Sequence, residues 1–136
     1  MRGPHTYGGA GSRFGAARNG HVHQGQDVAA ACGVQLVAPH GGVVKVKAFQ
    51  AGGAGNYVVI DGEGVKQDYV LMHLQAPATV TQGQAVTSGQ KLGKVGDTGD
   101  AQGCHLHFEI WAGKGWYTGG SPIDPLPSLQ YWDSYS

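Results

Sequence analysis

Apolar residues in this chain come in short runs, broken every few positions by glycine or proline. Val44, Val46 and Ala48 alternate with Lys45 and Lys47, the period of two that marks a half-buried strand. The surrounding run predicts a strand over 43–49, and comparable runs predict strands over 34–38, 56–61, 67–74 and 106–112. The separators are turn formers: Pro39-His40-Gly41-Gly42, Gly52-Gly53-Ala54-Gly55 and Asp61-Gly62, with Pro77 ending a run. Residues 83–96 read as short extended pieces spaced by glycine, and 113–120 as a loop holding Trp116 and Tyr117. Residues 122–127 carry Pro122, Pro125 and Pro127, too many for a helix or a central strand, and read as a closing segment laid over the domain. Residues 1–20 have little periodicity and read as a loop or a loosely packed arm. No stretch has a convincing helical period, and residues 24–32 come nearest to one. The predicted class is all-β, with antiparallel sheets because the connecting turns are too short for parallel crossovers.

A chain of 136 residues is expected to form one domain, with 1–11 as an N-terminal arm and 128–136 as a C-terminal tail. Twenty-five glycines, scattered rather than repeated, fit many short strands and tight turns. Formal net charge is zero, and the lack of a basic excess argues against nucleic acid and against a polybasic membrane anchor. No apolar run approaches the ~20 residues of a membrane span. Low net charge favours self-association at neutral pH, but a monomer is expected. The opening Met1-Arg2-Gly3-Pro4-His5 lacks the apolar core of a signal peptide. The expectation is therefore an intracellular protein, an excised mature domain, or export by another route such as phage lysis. Cys32 and Cys104 lie too far apart for a CxxC motif; two buried thiols and one long-range disulfide both remain open.

The chemistry begins with Cys104-His105-Leu106-His107-Phe108-Glu109. In a strand His105 and His107 share one face, and two imidazoles there are costly to bury unless each finds a partner. Glu109 shares that face by parity, either orienting a ligand or facing solvent at the strand end. His23 and Asp27 lie four apart and can converge on one ion if the backbone bends at Gly25. With one histidine of the 105/107 pair they make two imidazoles and a carboxylate, the ligand set of a catalytic zinc site whose fourth position is left for water. His5, His21 and His40 read as ordinary satisfied histidines. Trp111, Trp116 and Tyr117 could line a substrate groove or pack the core, Asn56 could contact substrate or serve its turn, and Tyr57 and Tyr69 read as packing residues.

In order, His-x-x-x-Asp, Tyr69-x-x-x-His73-Leu74 and Gly103-x-His105-x-His107-Phe108-Glu109 resemble the M23 zinc peptidases, the lysostaphin-type and LytM-type peptidoglycan endopeptidases. Val37-Ala38-Pro39, the 55–60 strand, Gly89-Gln90-Lys91-Leu92-Gly93, Val95-Gly96-Asp97-Thr98-Gly99 and Ile123-Asp124-Pro125 extend the resemblance over about residues 12–127. It implies one Zn2+ per chain held by His23, Asp27 and His107, with His73 and His105 as the two catalytic histidines that do not bind metal. Phe14-Gly15-Ala16-Ala17-Arg18 is one residue longer than the family's Phe-Gly-x-Arg, through which Arg18 would acquire a substrate-side role. Cys104 stands where many members have proline. The resemblance implies metal-assisted hydrolysis of peptidoglycan stem peptides or cross-bridges by a secreted or wall-associated protein. That setting favours a Cys32–Cys104 disulfide. The alternative is a catalytically silent wall-binding or regulatory domain, which would be missing a ligand. A biotinyl or lipoyl carrier reading of 83–96 leaves the five site residues unexplained.

Overall fold

The computed structural model describes residues 3–18 and 21–134, with the side chains of Ala10, Arg18 and His21 left out. A 3₁₀ turn at Ala10–Ser12 precedes a small ribbon of β1 (Ala17–Arg18) and β2 (His21–Val22). The main sheet contains β3 (Gln26–Ala29), β5 (Gly42–Gln50), β6 (Gly55–Gly62), β7 (Gln67–Leu74), β8 (Ala85–Val86), β10 (His105–Ala112) and β11 (Ser121–Ile123). Its order is β11–β10–β7–β6–β5–β8, every pair antiparallel. On the edge of β10 opposite β7, β3 pairs with the first half and β11 with the second. A separate ribbon joins β4 (Gln35–Val37) to β9 (Lys91–Lys94).

β6, β7 and β10 are rich in β-branched and aromatic residues, and both faces of each are largely buried. One face supplies Val58, Ile60, Leu71, Leu106, Phe108 and Ile110 to the main core, which also takes in Leu36, Leu92 and Val95 from the β4–β9 side. The other face carries a smaller cluster of Val59, Val70 and Trp111, flanked by Val46, Tyr57, Met72 and Trp116. Full burial of such side chains stabilises the fold by about 1.5–3 kcal/mol each, so the sheet is a rigid platform for whatever projects from it.

The antiparallel β reading holds, with corrections at two places. The chain is mostly β rather than all-β, because a short helix, α1, spans Leu126–Asp133. The prolines do not prevent it: Pro125 is the N-cap and Pro127 lies in the first turn, where a missing N–H breaks no helical bond. Leu126 is buried, and Leu129 and Trp132 pack on the core. Pro122 is tolerated because β11 is an edge strand. Finally, the best helix candidate, residues 24–32, contains β3 instead. Gln26 and Val28 are buried with a strand period, opposite Phe108 and Leu106. Residues ahead of β1 are tied to this frame: Thr6 exchanges two backbone hydrogen bonds with Ala29, and the Tyr7 hydroxyl donates to Asp133 on α1.

Candidate metal centre

Asp27 on β3 is directly opposite His107 on β10, so strand pairing alone places a carboxylate beside an imidazole on one face. The chain bends at Gly25 to bring His23 to the same point. A Cβ at Gly25 would stand 2.3 Å from the Phe108 carbonyl oxygen and 2.9 Å from His107 Nε2, so only glycine lets the backbone between the two residues lie against β10. His23 Nε2 is 3.0 Å from His107 Nδ1 and 3.2 Å from Asp27 Oδ1, and His107 Nδ1 is 3.0 Å from Asp27 Oδ1.

The far nitrogens set the tautomers. His23 Nδ1–H donates to the Arg13 carbonyl at 2.9 Å, and His107 Nε2–H donates to Glu109 at 2.8 Å. The nitrogens that face each other, His23 Nε2 and His107 Nδ1, are thus left as acceptors beside a third acceptor, Asp27 Oδ1. Such a group needs a proton or a cation at its centre. With no metal, His107 takes the proton: burial disfavours the imidazolium, but Asp27 and Glu109 outweigh this and raise its pKa to about 9. Burial would likewise raise the Asp27 carboxyl, yet hydrogen bonds and charge from His107 and His23 hold it well below the usual carboxylate range. Two imidazole nitrogens and one carboxylate oxygen, each ring braced from behind, are a donor set that fits zinc.

Glu109 is 4% exposed and accepts from both His107 Nε2 and Trp111 Nε1, the latter at 2.7 Å. Of its two expected positions, the buried one behind His107 is occupied, and Glu109 does not face solvent. His105 lies beside the group, with Nε2 3.6 Å from Asp27 Oδ1 and Nδ1–H donating to the Gly103 carbonyl. His73 arrives by a less regular route. Met72 is opposite His107, so strict alternation would turn His73 to the other face. Between the pairs Asn56–Leu74 and Val58–Leu71, one residue of β6 (Tyr57) faces two of β7 (Met72 and His73), and His73 has φ +65°. This bulge lets Met72 and His73 line the same cleft, of about 330 Å³, with His23 and His107. The His73 ring is 4.8 Å from that of His105, and its Nδ1–H donates to the Thr98 carbonyl at 2.8 Å. Burial, aided by the positive charge of its histidine neighbours, lowers the His73 pKa despite that bond.

The remaining candidates are spread more widely. Asn56 is buried, with its backbone N–H on Thr98 Oγ1 and its amide on the Leu74 carbonyl. Trp116 is half-buried against Tyr57, while Tyr117 is 67% exposed, with φ +49° and its ring 4.7 Å from Trp111. The side chain of Arg18 lies outside the described part of the structure. Cys32 and Cys104 form a disulfide, Cα atoms 5.3 Å apart, immediately ahead of His105. Two supports were not identified from the sequence. Thr98 anchors His73 through its carbonyl, and its place in the Val95-to-Gly99 motif was the available signal. The Arg13 carbonyl gave none, since any residue supplies one.

The family model "Peptidase family M23" matches residues 21–125. An uncharacterized metalloprotease of Haemophilus influenzae is 36% identical over 104 residues, covering 76% of this chain and 20% of that protein. Lysostaphin of Staphylococcus staphylolyticus is 30% identical over 113 residues, covering 82% and 23% respectively. This chain thus spans about a fifth of the length of the curated relatives it matches. Among solved structures, the catalytic domain of the antimicrobial peptidase lysostaphin from Staphylococcus simulans superposes with a TM-score of 0.77 at 27% identity, covering 93% of this chain and 92% of that one. A zinc-containing peptidase from Vibrio cholerae superposes with a TM-score of 0.66 at 34% identity, covering 76% and 29%. With a matching family model over most of its length and a braced His-Asp-His group on the corresponding fold, this chain belongs to peptidase family M23.

Proposed function

We propose that this chain is a zinc-dependent endopeptidase that hydrolyses peptide bonds in bacterial peptidoglycan, within stem peptides or cross-bridges, acting outside the cytoplasm as a monomer with one zinc ion. The observation that carries the reading is the convergence of His23 Nε2, Asp27 Oδ1 and His107 Nδ1, with His73 and His105 at its side. Support for the substrate comes from relatives named as peptidoglycan DD-endopeptidases, such as ShyA of Vibrio cholerae, 39% identical over 88 residues, 65% of this chain and 20% of that protein. Among the described residues no helix is long and apolar enough to cross a membrane.

In this reading His23, Asp27 and His107 hold the ion. When bound, zinc activates a water as nucleophile and polarises the scissile carbonyl. Both remaining histidines have Nδ1–H committed to a backbone carbonyl, so in each Nε2 is the nitrogen left to act as an acceptor. Burial keeps His73 neutral near pH 7, ready to accept a proton from the attacking water. His105, less enclosed, has Nε2 3.6 Å from Asp27 Oδ1 and is placed to accept a hydrogen bond from the attacking water and orient it.

The test is digestion of purified wall material by the intact chain. Loss of soluble peptide release on adding a chelator, and its return with zinc, is the expected result. A chain that binds walls without releasing peptides would establish the silent-domain alternative. Product masses from walls of different cross-link type identify the bond.

A further inference from the structure

One wall of the metal-centre cleft is made by two turns bonded to each other, around 53–55 and 97–100. Asp100 N–H donates to the Gly53 carbonyl at 2.7 Å, and Thr98 Oγ1 accepts from Asn56 N–H and donates to the Leu74 carbonyl. Gly99, at φ +75°, makes the approach possible, since a Cβ there would stand 2.2 Å from Gly55 N. His73 is fastened to both turns, through its N–H to Ala54 and its ring to Thr98. The wall is thus fixed relative to the reacting groups.

Two polar side chains on this wall have groups to spare. Gln50 accepts the Ala54 N–H through Oε1 at 3.1 Å, which leaves its amide donors for a ligand. Asp100 lines the same cleft as His73 and His107, and among the described residues its carboxylate has no hydrogen-bond or ion-pair partner. The other lining carboxylate, Glu109, is buried and committed to His107 and Trp111. No described lining residue is a lysine or arginine.

We infer that Asp100, with Gln50 on the same cleft wall, selects peptides that carry a free primary ammonium group close to the scissile bond. This rests on the peptidase reading. The carboxylate accepts from the ammonium, and the Gln50 amide donates to a neighbouring peptide carbonyl. Such an amine belongs either to a lysine-like side chain or to the free N-terminus of a peptide bridge.

Two peptide pairs separate the sources: a lysine-containing stem pentapeptide, N-terminally capped, with its ε-amine free or acetylated, and pentaglycine with its N-terminus free or acetylated. Affinities are measured by NMR titration of the metal-free chain, wild type and the variants Asp100→Asn and Asp100→Lys. The free amine is expected to bind about fivefold more tightly in one pair, the upper end for an ion pair with an exposed carboxylate such as Asp100. The preference should fall to about one in Asp100→Asn and reverse in Asp100→Lys. It should also shrink as salt rises from about 0.1 M to 1 M. No preference in either pair, no binding by wild type, or a preference that survives in Asp100→Asn overturns the inference. Failure of the peptidase reading appears separately, as absent zinc-dependent hydrolysis with the binding preference intact.

Discussion

Glu109 holds the back of His107: its carboxylate accepts the Nε2 proton of that ring at 2.8 Å from two positions along the same strand. Its other oxygen accepts the indole N–H of Trp111, whose ring touches that of Tyr117. A buried anion thus fixes the tautomer that points Nδ1 of His107 at His23 Nε2 and Asp27 Oδ1, and links the ring to the aromatic loop. Glu109→Gln retains shape and loses charge, and is expected to weaken zinc binding about 10–100-fold. Competition against a chromophoric chelator measures this, and an unchanged affinity would leave Glu109 a packing residue only.

The five site residues should separate into two classes. His23→Ala, Asp27→Ala and His107→Ala are expected to lose both bound zinc and peptide release. His73→Ala and His105→Ala are expected to keep zinc and lose about 10²–10⁴-fold in rate. Metal content by atomic emission on purified, folded variants makes the distinction; a full zinc complement in His107→Ala would refute its assignment.

Gly25 is expected to be as sensitive as a ligand. An added methyl meets the Phe108 carbonyl oxygen at 2.3 Å and must push β3 away from β10, separating His23 and Asp27 from His107. Gly25→Ala should therefore abolish zinc binding, read in the same competition assay. A variant that binds zinc normally would mean that the bend has room to shift.

The metal-free chain should be pH-sensitive at both ends. His107 titrates at about 9 rather than 6.5, so its stabilising contribution is complete below pH 6.5 and lost as pH rises through about 9. Asp27 is held below its ordinary 3.8, so its contribution is present above that value and lost as pH falls below it. The melting temperature of chelator-treated protein should fall on the alkaline side, and Asp27→Asn should flatten that fall. Zinc affinity should climb with pH up to about 9, because the ion displaces the His107 proton. An affinity independent of pH in that range would contradict the assignment.

The disulfide spans 72 residues and ends at the residue before His105. Reduction, or Cys32→Ser with Cys104→Ser, is expected to cost about 2–5 kcal/mol. Urea denaturation with and without reductant reads the difference. Coincident midpoints would show that strand pairing alone holds His105 in place.

Much of this protein was legible in its sequence because strand periodicity and ligand spacing are local properties. The period of two put His105 and His107 on one face, and the glycine between His23 and Asp27 marked the bend. The pairing of β3 with β10, which seats Asp27 opposite His107, depends on contacts about eighty residues apart and was decided by the tertiary structure. The same holds for His73, which a bulge and a left-handed backbone turn onto a face that alternation would deny it. α1 formed where three prolines argued against it, because two of them fall at its start and the core receives its Leu126, Leu129 and Trp132. Residue types and their spacing determined which groups could bind a metal and which of them share a strand face; only long-range packing decided that Asp27 meets His107, that the Arg13 carbonyl orients His23 and the Thr98 carbonyl His73, and that His73 lines the same cleft.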